Sequence, residues 1–142
     1  MALMNRPINN MQDDEDCYVY ILSLENHKFY VGETFKSRID DRISEHINGT
    51  GSKWTHTHKV LVHSRPILFL ESSKGRARTL EDNKTIECME AYGIDNVRGG
   101  QFVQAELTEQ QKITIINSLI HKNGRCFNCG GKNHFQNNCP HR

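Results

Sequence analysis

Between residues 18 and 46 the chain gathers side chains that suit a phosphodiester. Two short apolar runs, 17–22 and 29–32, each carry a tyrosine, Tyr20 and Tyr30, and the segment after them presents Arg42 and His46 four residues apart. Four residues is one turn of helix, so the last two share a face if that segment is helical. A guanidinium presents a fork of donors that matches phosphate oxygens. An imidazole can change charge near neutral pH. A phenol can orient or deprotonate a water, given something to lower its proton affinity. Further on, Glu81 lies near the start of another helical pattern. On spacing alone, a first-turn acid complementing the helix dipole is the simpler account of it.

A second constellation closes the chain. Cys126, Cys129, His134 and Cys139 stand in the spacing C-x2-C-x4-H-x4-C. Three thiolates and one imidazole so spaced can close a tetrahedron around one Zn²⁺. So short a segment has no core of its own, and its folding would depend on the metal. Gly130 and Gly131 give the x4 gap its tight turn. Phe127 and Phe135 are candidates for stacking on unpaired bases, with Arg125 and Lys132 on phosphates. The plainer alternative is that the two rings pack on each other or on the preceding helix.

Five cysteines, three of them in this cluster, do not make a disulfide framework and point to a reducing compartment, nucleus or cytoplasm. No apolar run is long enough for a membrane span, and the first residues lack a signal-peptide pattern. The net charge of +1 conceals an uneven distribution: residues 1–16 hold one base against four acids, residues 17–120 hold 13 of each, and residues 121–142 hold four bases and no acid. An all-basic tail around a metal motif favours a polyanionic partner: DNA, or RNA at the tail.

The elements that must position these groups follow from pattern. Residues 1–16 are acidic, without periodicity, and are expected to be disordered. Residues 17–33 read as a β-hairpin whose turn includes Asn26; a loop with an odd number of residues centred on Glu25 would place both tyrosines on one side. Residues 37–48 read as a helix capped by Ser37, with Ile39, Ile43 and Ile47 as its buried stripe and Arg42 and His46 on the shoulder. Residues 49–59 read as a loop, in which His56 and His58 are solvated rather than a metal pair. Residues 67–72 are the better core strand of the next stretch, with 60–63 an edge piece. SSKGRAR, 72–78, reads as a loop that can touch phosphate. Residues 79–92 read as a helix with Ile86 and Met89 buried and Glu81, Thr85, Cys88 and Tyr92 forming another row. Residues 93–102 are turn-rich. A last helix, 107–122, opens on a Thr108–Gln111 capping box and carries Ile113, Ile116, Leu119 and Ile120 on its apolar face. The division is 1–16, a core domain at 17–104, a connecting helix at 105–122 and the zinc segment at 123–142.

With YVY at 18–20, YVG at 30–32 and R-x3-H at 42–46, the chain resembles the GIY-YIG nuclease superfamily. Tyr18 occupies the place of that family's first glycine. Glu81 matches its single catalytic carboxylate and Asn96 its downstream asparagine. The resemblance covers roughly residues 17–102. Together with the C-terminal CCHC knuckle it is similar to a subgroup of small GIY-YIG proteins, many encoded by large DNA viruses; a viral protein of that kind would work inside the host cell. The resemblance implies an α/β domain with a three-stranded antiparallel sheet flanked by helices. It also implies metal-dependent cleavage of DNA, with one Mg²⁺ or Mn²⁺ on Glu81, Arg42 on the charged phosphorus centre, Tyr30 as base with Tyr20 supporting or the reverse, and His46 and Asn96 assisting. Lys53, Lys74, Arg76 and Arg98 are then the core cations expected to meet the nucleic acid backbone. The alternative is a protein that binds single-stranded DNA or RNA through its knuckle without cutting.

Overall fold

The structure, a computed structural model, describes residues 15–122. The CCHC ligands, Arg125, Phe127, Lys132, Phe135 and nearly all of the acidic N-terminal stretch lie outside the described residues. The chain divides into two compact units between Ala105 and Glu106.

The first unit is an α/β layer structure. Strands β1 (Cys17–Leu24) and β2 (Lys28–Phe35) form an antiparallel hairpin in which Leu24 pairs with Lys28. Three residues, Glu25–His27, make the turn, so it is centred on Asn26, one residue later than expected. Asn26 and His27 both adopt left-handed backbone, φ 63° and 58°. Asparagine tolerates this because its short polar side chain compensates locally. The odd loop keeps Tyr20 and Tyr30 on one face, as anticipated, but offset rather than opposite: Tyr20 pairs with Gly32 and Tyr30 with Leu22.

Strand β3 (Ile67–Glu71) pairs antiparallel with β1, and β4 (Val97–Gly99) pairs parallel with β2, giving the order β3-β1-β2-β4. The sheet therefore has a fourth strand beyond the expected antiparallel three. β4 comes from the stretch that reads as turns; its three residues, all buried, are too few to show a period. β3 is an edge strand, not a core one: Ile67, Leu68 and Leu70 are about half exposed. The residues before it contribute a single bridge, Val60 to Leu24.

Helices cover both faces. Alternation along the strands divides the side chains. Tyr20, Leu22, Leu24 and Tyr30 form one cluster with Trp54, against which Ile39, Ile43 and Val60 pack. Ile39 and Ile43 belong to α1 (Ile39–Ile47), and Trp54 to the single-turn α2 (Lys53–Thr57). The opposite face meets α3 (Lys74–Tyr92): Phe29 stacks on Tyr92 at 4.0 Å, Lys84 sits over Phe69, and Lys74 sits over Phe35 while pairing with Glu33 at 2.7 Å. The row Glu81–Thr85–Cys88–Tyr92 is thus the sheet-facing side of α3.

Three local expectations change. Ser37 does not cap α1; its hydroxyl donates to Glu15 at 2.8 Å, and a 3-10 turn at Lys36–Arg38 leads into the helix instead. In α1 the deeply buried residue is His46, while Ile47 is 42% exposed. SSKGRAR is not a loop: Ser73 caps α3, accepting from the Arg76 amide, and the helix starts at Lys74.

In the second unit, α4 (Glu109–Lys122) starts with the anticipated capping box. The Gln111 amide donates to Thr108 Oγ1 at 3.1 Å and the Thr108 amide to Gln111 Oε1 at 2.9 Å. Ile115 is its buried isoleucine; Ile113 and Ile116, expected on the apolar face, are about half exposed.

Candidate active site

The site begins at Gly32. Tyr20 lies across its register partner, and a Cβ at position 32 would overlap the phenol ring. Only glycine lets the tyrosine of β1 lie flat over β2 and carry its hydroxyl to the strand's far side. There it meets α1: Tyr20 Oη and His46 Nε2 are 2.8 Å apart, and His46 is fully buried. The other ring nitrogen, Nδ1, is 2.9 Å from Thr55 Oγ1. The imidazole is also flanked by Tyr30, at 4.8 Å between centroids, and Tyr20 and Tyr30 are 6.4 Å apart. Two phenols and one imidazole thus form a single buried group, reached by spacings of ten and sixteen residues.

Arg42 stands one turn before His46 and is half-buried. Its Nη1 donates to Glu45 at 2.8 Å. Burial works against its charge, but the Glu45 bond and both phenols outweigh this, so the guanidinium holds its proton more firmly than usual. Burial likewise pushes both phenols above their ordinary range, with Arg42 opposing the rise in each. His46 moves the other way: burial, reinforced by Arg42, lowers its pKa to about 4 against the opposing charge of Glu45. The imidazole is therefore neutral in the free protein at pH 7.

Glu81 reaches this group from the opposite face. β4 ends at Gly99, opposite Val31, so β2 has no neighbour on that side from Gly32 onward. This open notch brings the two faces within electrostatic reach: the charge of Glu81 bears on both Tyr20 and Tyr30. Burial lifts the Glu81 carboxyl to about 7; Glu33 and Asp82 add to the rise, and Lys74 and Arg78 oppose it. Glu33, the residue after the glycine, has one carboxylate oxygen that is buried and lacks a hydrogen-bond partner, although Lys74 Nζ stands 2.7 Å from it. No cluster of three or more metal-binding side chains forms among the described residues. Glu81, whose carboxyl feels the charge of Glu33, supplies one of the one or two carboxylates that a hydrated Mg²⁺ or Mn²⁺ takes alongside a phosphate.

Tyr20, Tyr30, Arg42 and His46 are thus brought together, with Glu81 near enough for its charge to bear on both phenols. Asn96 is not among them. Its Oδ1 accepts from Lys28 Nζ at 2.6 Å and its Nδ2 donates to the Tyr92 carbonyl at 2.6 Å, so its carboxamide ties the end of α3 to the start of β2. Nor is Arg98 a surface cation. It is 2% exposed, stacks over Trp54 and donates to the carbonyls of Ile94, Val97, Gln104 and Ala105. Four carbonyl partners take four of the five N–H donors of this buried guanidinium and make it a clamp for residues 94–105, too deeply buried to meet a phosphate. Lys74 is engaged with Glu33. Lys53 and Arg76 are exposed.

Some contributors escape sequence reading. Ser52, Trp54 and Thr55 come from the stretch read as a loop, where two histidines draw attention instead. His56 Nδ1 bonds the Gly49 carbonyl and His58 packs edge-on to Trp54. The available signal was the S-x-x-T spacing, a helix-start pattern: Ser52 caps α2 by accepting from the Thr55 amide.

Comparisons with known proteins identify the domain that carries this group. The model of the GIY-YIG catalytic domain matches residues 16–90, more than half of the chain, and that of the zinc knuckle matches residues 124–141. A UPF0213 protein of Enterococcus faecalis is 30% identical over 69 residues, 49% of this chain and 72% of the relative. No solved structure matches. A GIY-YIG nuclease domain joined to a zinc knuckle indicates a nuclease-superfamily member with nucleic-acid-binding and zinc-binding capacity. On the family match, over more than half of its length, the chain belongs to the GIY-YIG family.

Proposed function

We propose that the protein is a metal-dependent DNA endonuclease that hydrolyses phosphodiester bonds, acting on branched, flap or nicked DNA, with the knuckle adding affinity for nucleic acid. The observation that carries this reading is the 2.8 Å contact between Tyr20 and a buried neutral His46, inside a group that also feels Arg42 and Glu81. A phenol alone is a poor base, because its proton affinity is too high and burial raises it further. A phenol that passes its proton on as it receives another is not so limited.

Water attacks phosphorus in line with the leaving oxygen, whose bond to phosphorus breaks; the released oxygen takes a proton from solvent, and His46 afterwards returns one to solvent. Its proton goes to Tyr20 Oη while the Tyr20 proton moves to His46 Nε2, so the phenol is neutral before and after and the imidazole holds the charge. The anionic phosphate beside that imidazolium compensates for its burial. Arg42 donates to the phosphoryl oxygens as charge builds there, and Tyr30, beside both the imidazole and Tyr20, orients water and phosphate. Glu81 would hold the divalent ion, which when bound supplies Lewis acidity toward the phosphate and its leaving oxygen.

The test is a nicking assay on supercoiled, flap and branched DNA with Mg²⁺ or Mn²⁺. Glu81→Ala and Tyr20→Phe should each slow cleavage by at least about 100-fold while DNA binding persists. Normal cutting by both variants would overturn the site assignment. A wild-type chain that binds but never nicks would be a nucleic-acid-binding protein instead.

A further inference from the structure

The Tyr20–His46 contact does not end at the imidazole. His46 Nδ1 is 2.9 Å from Thr55 Oγ1, and Thr55 is itself fully buried. Thr55 Oγ1 is in turn 2.9 Å from Ser52 Oγ and 3.3 Å from the Ser52 carbonyl. Ser52 Oγ accepts from the Thr55 amide at 3.1 Å. Gly51 lies against the imidazole so closely that a Cβ there would overlap it. The stretch 51–55 therefore forms the wall against which the histidine is held.

The protons in this wall can be counted. A carbonyl only accepts, so the contact to the Ser52 carbonyl takes the one Thr55 hydroxyl proton. Ser52 Oγ has two acceptor sites, which take the Thr55 amide and the hydroxyl of Tyr30, its other side-chain neighbour, and it donates its own proton to Thr55. The Thr55 oxygen then has one acceptor site remaining, and it faces His46 Nδ1. This assignment uses every contact, and under it Nδ1 carries the imidazole proton while Nε2 is bare and turned to Tyr20. In the opposite assignment, with Thr55 donating to Nδ1, Nε2 would carry the proton and could take none from the phenol.

We propose that Thr55, backed by Ser52, is a positioning residue that fixes His46 as its Nδ1–H tautomer and so makes the imidazole an acceptor for the Tyr20 proton. Which nitrogen of a histidine holds the proton is set by the bond its other nitrogen makes. The kinetic consequence rests on the nuclease reading above; the tautomer itself does not.

Nitrogen-15 NMR of the full chain, free of DNA, reads the tautomer directly, with the His46 signals assigned by their loss in His46→Gln. The wild type should show a protonated Nδ1 and a bare Nε2. A protonated Nε2, or an even mixture, overturns the proposal without any variant. In Thr55→Val, of similar volume but without the hydroxyl, the population should move toward the Nε2–H form and nicking should fall about ten- to a hundredfold. Thr55→Ser should restore both. A folded Thr55→Val that keeps the wild-type tautomer and rate overturns it equally. A wild-type chain with the expected tautomer that does not nick DNA supports this inference and removes the nuclease reading.

Discussion

A buried histidine is a thermodynamic liability in acid, and His46 makes the liability measurable. Its folded-state pKa, about 4, lies below the ordinary value of 6.5 because the site has no water to solvate an imidazolium and Arg42 repels one. A depressed pKa means that the folded state resists protonation while the unfolded chain accepts it. The stability His46 supports is therefore complete above about pH 6.5 and is lost as pH falls toward 4, by on the order of 3 kcal/mol. Urea titrations at pH 7 and pH 4 should show the wild type losing that much more stability than His46→Gln, which has nothing to protonate there. Equal losses would mean that water reaches the imidazole. Gly32 supplies a second residue-scale test. Because its missing Cβ is the space the Tyr20 ring fills, Gly32→Ala should displace the phenol from His46 and reduce nicking more than it reduces stability, a split read by comparing rate with urea midpoint.

At the scale of elements, what could be read from the chain depended on length and period. The hairpin, α1 and α4 carry alternation or helical spacing over enough residues to be recognised, and the two tyrosines, Arg42 and His46 ride on the first two of these. β4 is three residues long and α2 five, too short for either signal, yet both touch the site: β4 by stopping at Gly99 and opening the notch, α2 by holding Thr55 against His46. Arg98 shows a different limit. Nothing in its sequence surroundings distinguishes a buried clamp from a surface cation, because its partners are backbone carbonyls that any residues could supply. The clamp predicts that Arg98→Leu, which strands those carbonyls, destabilises the first unit by roughly 2–4 kcal/mol in urea. It should leave the salt dependence of DNA binding unchanged, since no phosphate contact is lost. The start of α3 is hard to read in the sequence because Lys74, Arg76 and Arg78 look like a basic loop, while the Ser73 cap that makes them helical is a single side chain. Ser73→Ala should cost about 1 kcal/mol.

For the molecule as a whole, charge and chemistry are divided between regions. The core stretch 17–120 carries balanced charge, whereas 121–142 is purely basic around its four metal ligands. Arg98 and Lys74, two of the four core cations expected to meet nucleic acid, are committed to the fold and to Glu33. If the proposed nuclease site lies in this charge-balanced stretch, much of the electrostatic attraction for DNA must come from elsewhere. The tail, with Arg125, Lys132 and Arg142, is where it is available. This gives a quantitative expectation for the full-length protein: log Kobs should fall with log salt, and each phosphate contact from the tail should contribute about 0.9 to the slope on duplex DNA. Replacing Arg125 and Lys132 with alanine should reduce the slope by up to about 2 and weaken binding across sequences alike, while the single-turnover rate at saturating protein is retained. Cys129→Ser should remove one zinc per chain, measured by native mass spectrometry, and reproduce the same shallow slope, because the tail's few residues have no core to order them without the ion. A slope that stays at the wild-type value in both variants would place the phosphate contacts on the core, with Lys53 and Arg76 the cations to replace next.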